Sequence, residues 1–160
     1  MRALLALSGL ILLLAQGPAA AQVSIGFGGV AYDRSQPVEI TSDTLTLDQT
    51  TGEAVFTGNV IVVQGDLRMA APYVRVIYAT TGTQEVQEVI ANGGVLITRG
   101  ADAAEGNNAQ FEVATSFLTL TGNVLVTQGP TAIAGDRMVV NMTTGNGAAD
   151  GRVRTVLSGE

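Results

Sequence analysis

Few side chains in this sequence could do acid–base or nucleophilic chemistry. Two carboxylate pairs, Glu85 with Glu88 and Asp102 with Glu105, have a spacing that general acid–base catalysis could use. The chain contains no histidine and no cysteine, so neither pair has an imidazole or a thiol to work with. Its serines likewise lack a base that would activate them as nucleophiles. We therefore interpret both pairs as solvated loop charges, and we predict that the protein is not an enzyme.

Oxygen ligands for a metal ion are scattered along the chain rather than grouped. Asp43, Asp48, Asp136 and Asn141 carry oxygens of the kind that calcium binds. No EF-hand loop and no Gly-Gly-x-Gly-x-Asp run surrounds them. We predict no metal site and no cofactor.

The amino-terminal segment has the pattern of a secretory signal peptide. Arg2 precedes an apolar run of about 13 residues, and Ala19-Ala20-Ala21 offers the small residues that a signal peptidase reads. A helix needs roughly 20 apolar residues to cross a bilayer, so a retained anchor is the weaker interpretation. We predict a cleaved signal peptide over residues 1–21, a flexible Gly-rich leader over residues 22–36 and one domain over residues 37–160.

The exported chain would be acidic and free of disulfides. The 160-residue sequence has a formal charge of −6, which becomes −7 when Arg2 leaves with the signal peptide, and it contains no lysine. A chain without a basic patch is unsuited to nucleic acid or to anionic membrane surfaces. Because there is no cysteine to carry a lipid or a disulfide, stability must come from backbone pairing and apolar burial.

From Pro37 onward the sequence has the pattern of short β-strands. Runs rich in Val, Ile, Thr and Leu are interrupted by Gly, Asn and Asp about every 8 to 12 residues. No stretch shows a helical period with caps at both ends. The domain is therefore predicted to be all-β.

An internal repeat indicates how these strands are organised. The phrase FTGNVIVVQGD at 56–66 returns as LTGNVLVTQGP at 120–130, and 40–78 align with 104–142 without a gap. ANGGVLITRG at 91–100 is a degenerate third copy, and GRVRTVLSG at 151–159 has the pattern of the first strand of a further unit. Such periods indicate stacked supersecondary units. Each Gly-Asn is interpreted as a bend or bulge in its strand.

Strand alternation predicts which residues face the interior. In both main copies the even-numbered positions, which include Val60 and Val124, are apolar, whereas several of the odd-numbered positions between them are polar. The interior is either a packed core or a groove that admits an aliphatic ligand. The predicted inward set comprises Leu45, Leu47, Phe56, Val60, Val62, Val74, Val76, Val95, Ile97, Leu120, Val124, Val126, Met138 and Val140.

The two ends of the stack are predicted to be open strand edges. An unpaired edge is either a liability that charge and proline protect, or a docking site where a partner adds a strand. Because the last repeat is incomplete, docking is the favoured interpretation. The edge residues are Val38 and Ile40 at one end and Val153, Val156 and Leu157 at the other.

The residues as a combined pattern resemble a known family. The stretch PVEITSDTLTLDQTTGEAVFTGNVIVVQGDLRMAAPYVRVIY at 37–78, with its Ile-x-Ser-Asp phrase and acidic turn, is similar to the opening unit of LptA/OstA-like domains. The similarity continues through IANGGVLIT and AEGNNAQFEVATSFLTLTGNVLVTQG and so covers nearly all of the exported chain. A single Gly-Asn-Val would not be specific, but the pattern over about a hundred residues is.

This resemblance implies a fold and a function. The fold would be an open, twisted β-jellyroll built from stacked antiparallel strand repeats around an apolar groove. The function would be a periplasmic carrier whose groove holds the acyl chains of lipopolysaccharide. Its edges would dock an inner-membrane transport complex and an outer-membrane translocon, with possible head-to-tail self-association. Alternatives are the inner-membrane-anchored partner with the same fold and a secreted structural β-repeat protein that binds no lipid.

Overall fold

The residues that the structure describes form a single antiparallel β-sheet of eleven strands. A computed structural model describes residues 23–24, 35–80 and 85–157. The predicted signal peptide and most of the predicted leader lie outside these residues. The strands are β1 (Val23–Ser24), β2 (Val38–Thr41), β3 (Thr44–Asp48), β4 (Glu53–Gln64), β5 (Leu67–Tyr78), β6 (Val86–Arg99), β7 (Asp102–Glu112), β8 (Phe117–Gln128), β9 (Thr131–Asn141), β10 (Asn146–Asp150) and β11 (Arg154–Leu157).

From β4 to β10, strands that are consecutive along the chain are also neighbours in the sheet. The strand order is β1-β10-β9-β8-β7-β6-β5-β4-β2, with β3 also paired to β4 and β11 also paired to β9. The prediction of an all-β fold is therefore confirmed. Within the described ranges there is no helix long and apolar enough to cross a membrane.

The long strands β4 to β9 bend near their midpoints, so that the sheet folds over on itself. The register shifts in the middle of every pairing from β4–β5 to β8–β9. The line of bends, here called the corner, divides the sheet into two arms that enclose one buried apolar cluster. The first arm contains residues 38–41, 60–71, 95–106, 124–135 and 154–157, and the second contains 44–57, 73–80, 85–92, 108–121 and 137–150.

The repeated Gly-Asn pairs form the corner. Gly58 and Asn59 have φ values of 81° and 48°, and Gly122 and Asn123 have 77° and 51°. A Cβ added at Gly122 would lie 2.7 Å from the Asn107 side chain on the neighbouring strand, so the site requires glycine for both backbone and space. The interpretation of these pairs as bends is confirmed.

The degenerate copies bend in the same way. Gly93 and Gly94 have φ values of 93° and 98°, and Gly151 and Arg152 have 73° and 44°. The predicted first strand of a further unit is therefore present as β11.

The inner face agrees with the alternation pattern over most of its length. Val60, Val74 and Met138 are fully buried, and Val62 is partly buried against the same cluster. The other buried members of the predicted inward set are Phe56, Val76, Val95, Ile97, Leu120, Val124, Val126 and Val140.

Leu45 and Leu47 require a correction. They pair with Phe56 and Ala54 and so lie on the inner face. Their side chains are nevertheless 51% and 65% exposed. The reason is that β3 lies at the edge of the sheet, where none of the described strands covers them.

Candidate functional site

An apolar cavity lies between the two arms, on the side away from the corner. Its volume is about 620 Å³. From the first arm it is lined by Val38, Ile40, Val62, Gln64, Leu67, Met69 and Ile97; from the second arm it is lined by Val76, Tyr78, Glu85, Val86, Val89, Phe111, Val113, Leu118 and Met142.

Strand alternation and hairpin geometry place these side chains. Met69 pairs with Ile97 on the first arm, and Val76 pairs with Val89 on the second, so each arm presents a continuous inner row. All of the lining residues except Gln64 and Glu85 are apolar or, in Tyr78, aromatic. Such a lining can hold an aliphatic ligand but offers no acid–base or nucleophilic pair.

The predicted groove set and the observed cavity overlap only in part. Of the predicted inward residues, Val62, Val76 and Ile97 line the cavity. Val60 and Val124, by contrast, are 0% and 2% exposed near the corner, where the two arms meet. The interior is therefore packed beside the corner, and it contains the cavity toward the open side.

Sequence reasoning missed most of the lining. Leu118 lies two residues before Leu120, and Met69 lies on the same face as Ala71, so extending the alternation to the strand ends would have found both. Val38 and Ile40 were predicted as edge residues, and they also close one end of the cavity. The lining residues outside the predicted inward and edge sets are Gln64, Leu67, Met69, Tyr78, Glu85, Val86, Val89, Phe111, Val113, Leu118 and Met142.

The two edges of the sheet have similar construction. At the amino-terminal edge β2 and β3 follow one another along β4, and Val38 is 54% exposed. At the carboxyl-terminal edge β10 and β11 follow one another along β9, and Leu157 is 73% exposed. Val153 and Val156 are exposed at the same edge.

A short strand within the predicted leader contacts one of these edges. β1 pairs with β10, with Val23 opposite Gly147 and Ser24 opposite Asn146. The outer side of β10 is therefore partly occupied, whereas β11 pairs only with β9 among the described strands.

The four residues with potential metal ligands have structural roles at turns and at the corner. The backbone N–H groups of Thr50 and Thr51 donate to Asp48 at 2.8 and 3.2 Å, and these hydrogen bonds lower the pKa of Asp48. Asn141 accepts two such bonds in the equivalent turn before β10. In the described part of the chain, no cluster of histidine, cysteine or acidic side chains could hold a metal ion.

Asp43 and Asp136 lie at equivalent points of the first and last bends. Asn59 Nδ2 donates to Asp43 Oδ2 at 2.8 Å, and the Arg152 guanidinium donates to Asp136 Oδ1 at 2.7 Å. The hydrogen bond from Arg152, together with its positive charge, lowers the pKa of Asp136. In both bends a side chain next to a left-handed glycine thus binds the carboxylate of the adjacent strand.

Arg99 is a buried cation on the inner face. Arg99 ends β6, its side chain is 4% exposed, and its Nε donates to Asp66 Oδ2 at 2.9 Å. Asp66 itself is 63% exposed in the turn between β4 and β5. The interpretation of the two carboxylate pairs as loop charges is wrong for three of the four residues, because Glu88 lies in β6 and Asp102 and Glu105 lie in β7. Glu88 accepts a hydrogen bond from Gln110, and Glu105 is exposed.

Relatives of known sequence support this architecture. An uncharacterized protein of Rhizobium meliloti is 30% identical over 155 residues, which are 91% of this chain and 83% of that protein. The lipopolysaccharide export system protein LptA of Escherichia coli is 35% identical over 122 residues, which are 72% of this chain. That match spans 65% of the length of the E. coli protein.

A solved structure has the same fold. The crystal structure of LptH, the LptA-homologous periplasmic component of lipopolysaccharide transport in Pseudomonas aeruginosa, superimposes with a TM-score of 0.70. The comparison covers 79% of this chain and 99% of that one at 21% identity, and it confirms the jellyroll-like fold.

The family assignment follows from residues across most of the domain. Residues 39–146 match the family described as LptA/(LptD N-terminal domain) LPS transport protein. This range includes the bends at Gly58, Gly93 and Gly122 and nearly all of the cavity lining. Its members are transport proteins, which agrees with the prediction of a protein that is not an enzyme. The chain therefore belongs to the LptA/LptD N-terminal domain family of lipopolysaccharide transport proteins.

Proposed function

We propose that this protein is a periplasmic carrier that binds lipopolysaccharide and passes it toward the outer membrane. The acyl chains occupy the cavity between the arms while the polar headgroup stays at the open side. The observation that carries the proposal is the nearly continuous apolar lining of that cavity. A structural repeat protein would have its two arms packed together along their whole width.

The energetics favour a carrier over passage through water. Exposing one acyl chain of about 12 carbons to water costs on the order of 10 kcal/mol, at ~0.8 kcal/mol per methylene. An apolar cavity removes most of that cost without any covalent step. Its volume of about 620 Å³ is within the range of roughly 300 to 1,000 Å³ that is usual for ligand pockets.

We further propose that the two edges join this protein to partners of the same fold. Two kinds of bend alternate across the sheet: one kind is a pair of residues with positive φ that begins with glycine, and the other has no residue with positive φ. The last bend of the series, Gly151-Arg152, is of the first kind. A strand added beyond it should therefore have a bend without positive φ. Ser42-Asp43, at the amino-terminal edge of a second copy, is such a bend. Strand direction also fits, because β2–β3 of that copy would run antiparallel to β10–β11.

The bend alternation specifies the register of this docking. Within one copy, the bend at Gly122-Asn123 lies beside a bend without positive φ in β9, and next to these bends Val124 pairs with Gly135. By analogy Thr155 would pair with Ile40 of the second copy and Leu157 with its Val38. The exposed Leu45 would then face Ala149, so the inner face would continue from one copy into the next.

The carrier proposal is tested by photo-cross-linking in cells that export lipopolysaccharide. A photoreactive residue is placed at Val62 or Val89, which line the cavity, and the controls are their outward neighbours Ile61 and Ile90. We expect adducts with lipopolysaccharide at Val62 and Val89 alone. The absence of adducts at every position while export is active would contradict the carrier proposal, and adducts at Ile61 and Ile90 would place the ligand outside the cavity.

The periplasmic location rests on the predicted signal peptide. We propose that the exported protein begins at Gln22. An intact-mass measurement on protein from the periplasmic fraction tests this, because a retained segment 1–21 would instead support the anchored alternative.

A further inference from the structure

We propose that Arg99 binds a phosphate on the headgroup of the amphiphile whose acyl chains occupy the cavity. The site thereby selects anionic amphiphiles over neutral ones. This inference rests on the proposed lipid-carrier function and adds a residue that decides which lipid is held.

The first argument is the position of Arg99. It lies two residues beyond Ile97 on the same face of β6, and it pairs with Leu67 of β5. Ile97 and Leu67 both line the cavity. Arg99 is therefore the next side chain along the inner row at the outer end of the first arm. A lipid headgroup would emerge from the apolar lining at this end.

The second argument is the burial of its charge. The other arginines in the described ranges are much more exposed; Arg75, Arg137 and Arg152, for example, are 37%, 50% and 86% exposed, whereas Arg99 is 4% exposed. Holding a guanidinium away from water is costly unless it gains strong interactions. Arg99 and Asp66 make an ion pair whose carboxylate is mostly in solvent.

The third argument is that Asp66 can yield its place. It lies in the short turn between β4 and β5, outside the strand ladders, and its carboxylate is 63% exposed. A phosphate carries more negative charge than a carboxylate and presents several acceptor oxygens to a planar guanidinium, which can bind two of them at once. We therefore expect a phosphate delivered by a lipid to compete with Asp66 for Arg99.

The source of the phosphate follows from the surroundings. Free phosphate would gain nothing from the neighbouring Ile97 and Leu67, whereas a phosphate attached to acyl chains is held at high local concentration by the cavity. We therefore commit to a lipid headgroup rather than inorganic phosphate. A chain with no lysine and a net charge of −6 would otherwise repel such a headgroup.

The test compares two lipids on the full-length exported protein. The probes are fluorescent diphosphoryl lipid A and the same lipid after enzymatic removal of both phosphates, and the variants are Arg99→Gln, Asp66→Asn and Arg68→Gln. Arg68 is the matched control because it is exposed on the outer face of β5, next to the same turn. Inorganic phosphate is added as a competitor in a separate arm.

We expect R99Q to weaken binding of the phosphorylated lipid about tenfold, which is about 1.4 kcal/mol, and to leave the dephosphorylated lipid unchanged. D66N should strengthen binding of the phosphorylated lipid, because the competing carboxylate is gone while Arg99 keeps its charge. R68Q should change neither affinity.

Several outcomes would overturn the inference. Equal losses for both lipids in R99Q would make Arg99 a structural residue, and a D66N variant that binds the phosphorylated lipid no better than wild type would do the same even if R99Q failed to fold. Strong competition by inorganic phosphate would assign the site to the free ion. If wild-type protein bound neither lipid, the carrier function itself would fail, which is a distinguishable result.

Discussion

At the scale of single residues, the most demanding positions are the glycines of the corner. Gly122 has a φ of 77° and lies against Asn107, so a side chain there meets both backbone strain and a neighbour. Gly100 has a similar φ of 58° in a turn, but an added Cβ would contact nothing within 4 Å. Substitution of Gly100 therefore tests backbone strain alone, whereas substitution of Gly122 tests backbone strain together with a steric clash.

We predict that Gly122→Ala lowers the free energy of unfolding by about 3 kcal/mol and Gly100→Ala by about 1 kcal/mol. The difference arises because Gly122→Ala must also displace the Asn107 side chain. Urea unfolding followed by circular dichroism measures both values. Equal losses in the two variants would show that the contact with Asn107 is unimportant.

The Asp136–Arg152 pair gives a residue-scale prediction about pH. The hydrogen bond and charge of Arg152 hold the pKa of Asp136 below its usual value of 3.8. The stabilisation from this pair is therefore fully present above that value and is lost as the pH falls through the lower folded-state pKa. We predict that wild type is more stable than Asp136→Asn at neutral pH and that the difference shrinks at strongly acidic pH.

Thermal unfolding of the two proteins across this pH range measures the effect. Asp48→Asn is a useful comparison, since the backbone N–H groups of Thr50 and Thr51, rather than a cation, lower the pKa of Asp48. Added salt should reduce the contribution of the Asp136 pair more than that of Asp48. A difference between wild type and Asp136→Asn that stayed constant with pH would argue against an ion pair in solution.

At the scale of strands, the carboxyl-terminal edge consists of β10, which is already paired with β1, and β11. β10 is paired on its outer side by β1 at Gly147 and Asn146, which are positions that an incoming strand would also use. β11 continues the same edge without a further strand among the described residues. In the proposed docking, the amino-terminal strand would therefore compete with a partner for one half of the carboxyl-terminal edge.

We predict that fixing β1 on β10 weakens head-to-tail association. Val23→Cys with Gly147→Cys introduces a disulfide between directly paired residues in a chain that has no other cysteine. Sedimentation velocity should show less association for the oxidised protein than for the same protein after reduction, and the single Val23→Cys variant is the control. Equal association in both redox states would mean that β1 does not cover the docking edge.

At the scale of the whole molecule, the arms are packed together near the corner and apart near the open side. Val60 and Leu120 fill the space beside the corner, whereas Val62 and Leu118, two positions farther along the same strands, line the cavity. The cavity also draws on β2 but not on β11, so it lies toward the amino-terminal edge. Ligand binding should therefore be sensitive to substitutions on the part of the inner face that lines the cavity.

We predict that Val62→Asp lowers the affinity for lipopolysaccharide at least tenfold, about 1.4 kcal/mol, because a carboxylate in the cavity opposes an acyl chain. Val63→Asp, the outward neighbour, should have little effect on binding although both positions are partly buried. Binding is measured by fluorescence with labelled lipopolysaccharide after thermal unfolding has shown that both variants fold. Equal losses in the two variants would place the ligand outside the cavity.

Much of the fold could be predicted from the sequence because its causes are local. The alternation around Val60 and Val124 follows from the two-residue period of a strand, and Gly58-Asn59 identifies a bend because few residues adopt left-handed backbone. Sequential hairpins then leave few choices for the order of strands. These features depend on residues close together in the chain, and the sequence determined them by itself.

The candidate site depended on distances between elements that are far apart in sequence. Alternation places Val60 and Val62 on the same face, but only the separation of the two arms makes one a core residue and the other part of the cavity. Leu45 shares that face and is still exposed, because no strand in the described part of the chain lies beyond β3 at the edge. The location of Arg99 at the end of an apolar row likewise required the register of β6 against β5. Tertiary structure decided these points, since the space between two arms is set by every side chain packed near the corner and not by any one stretch of sequence.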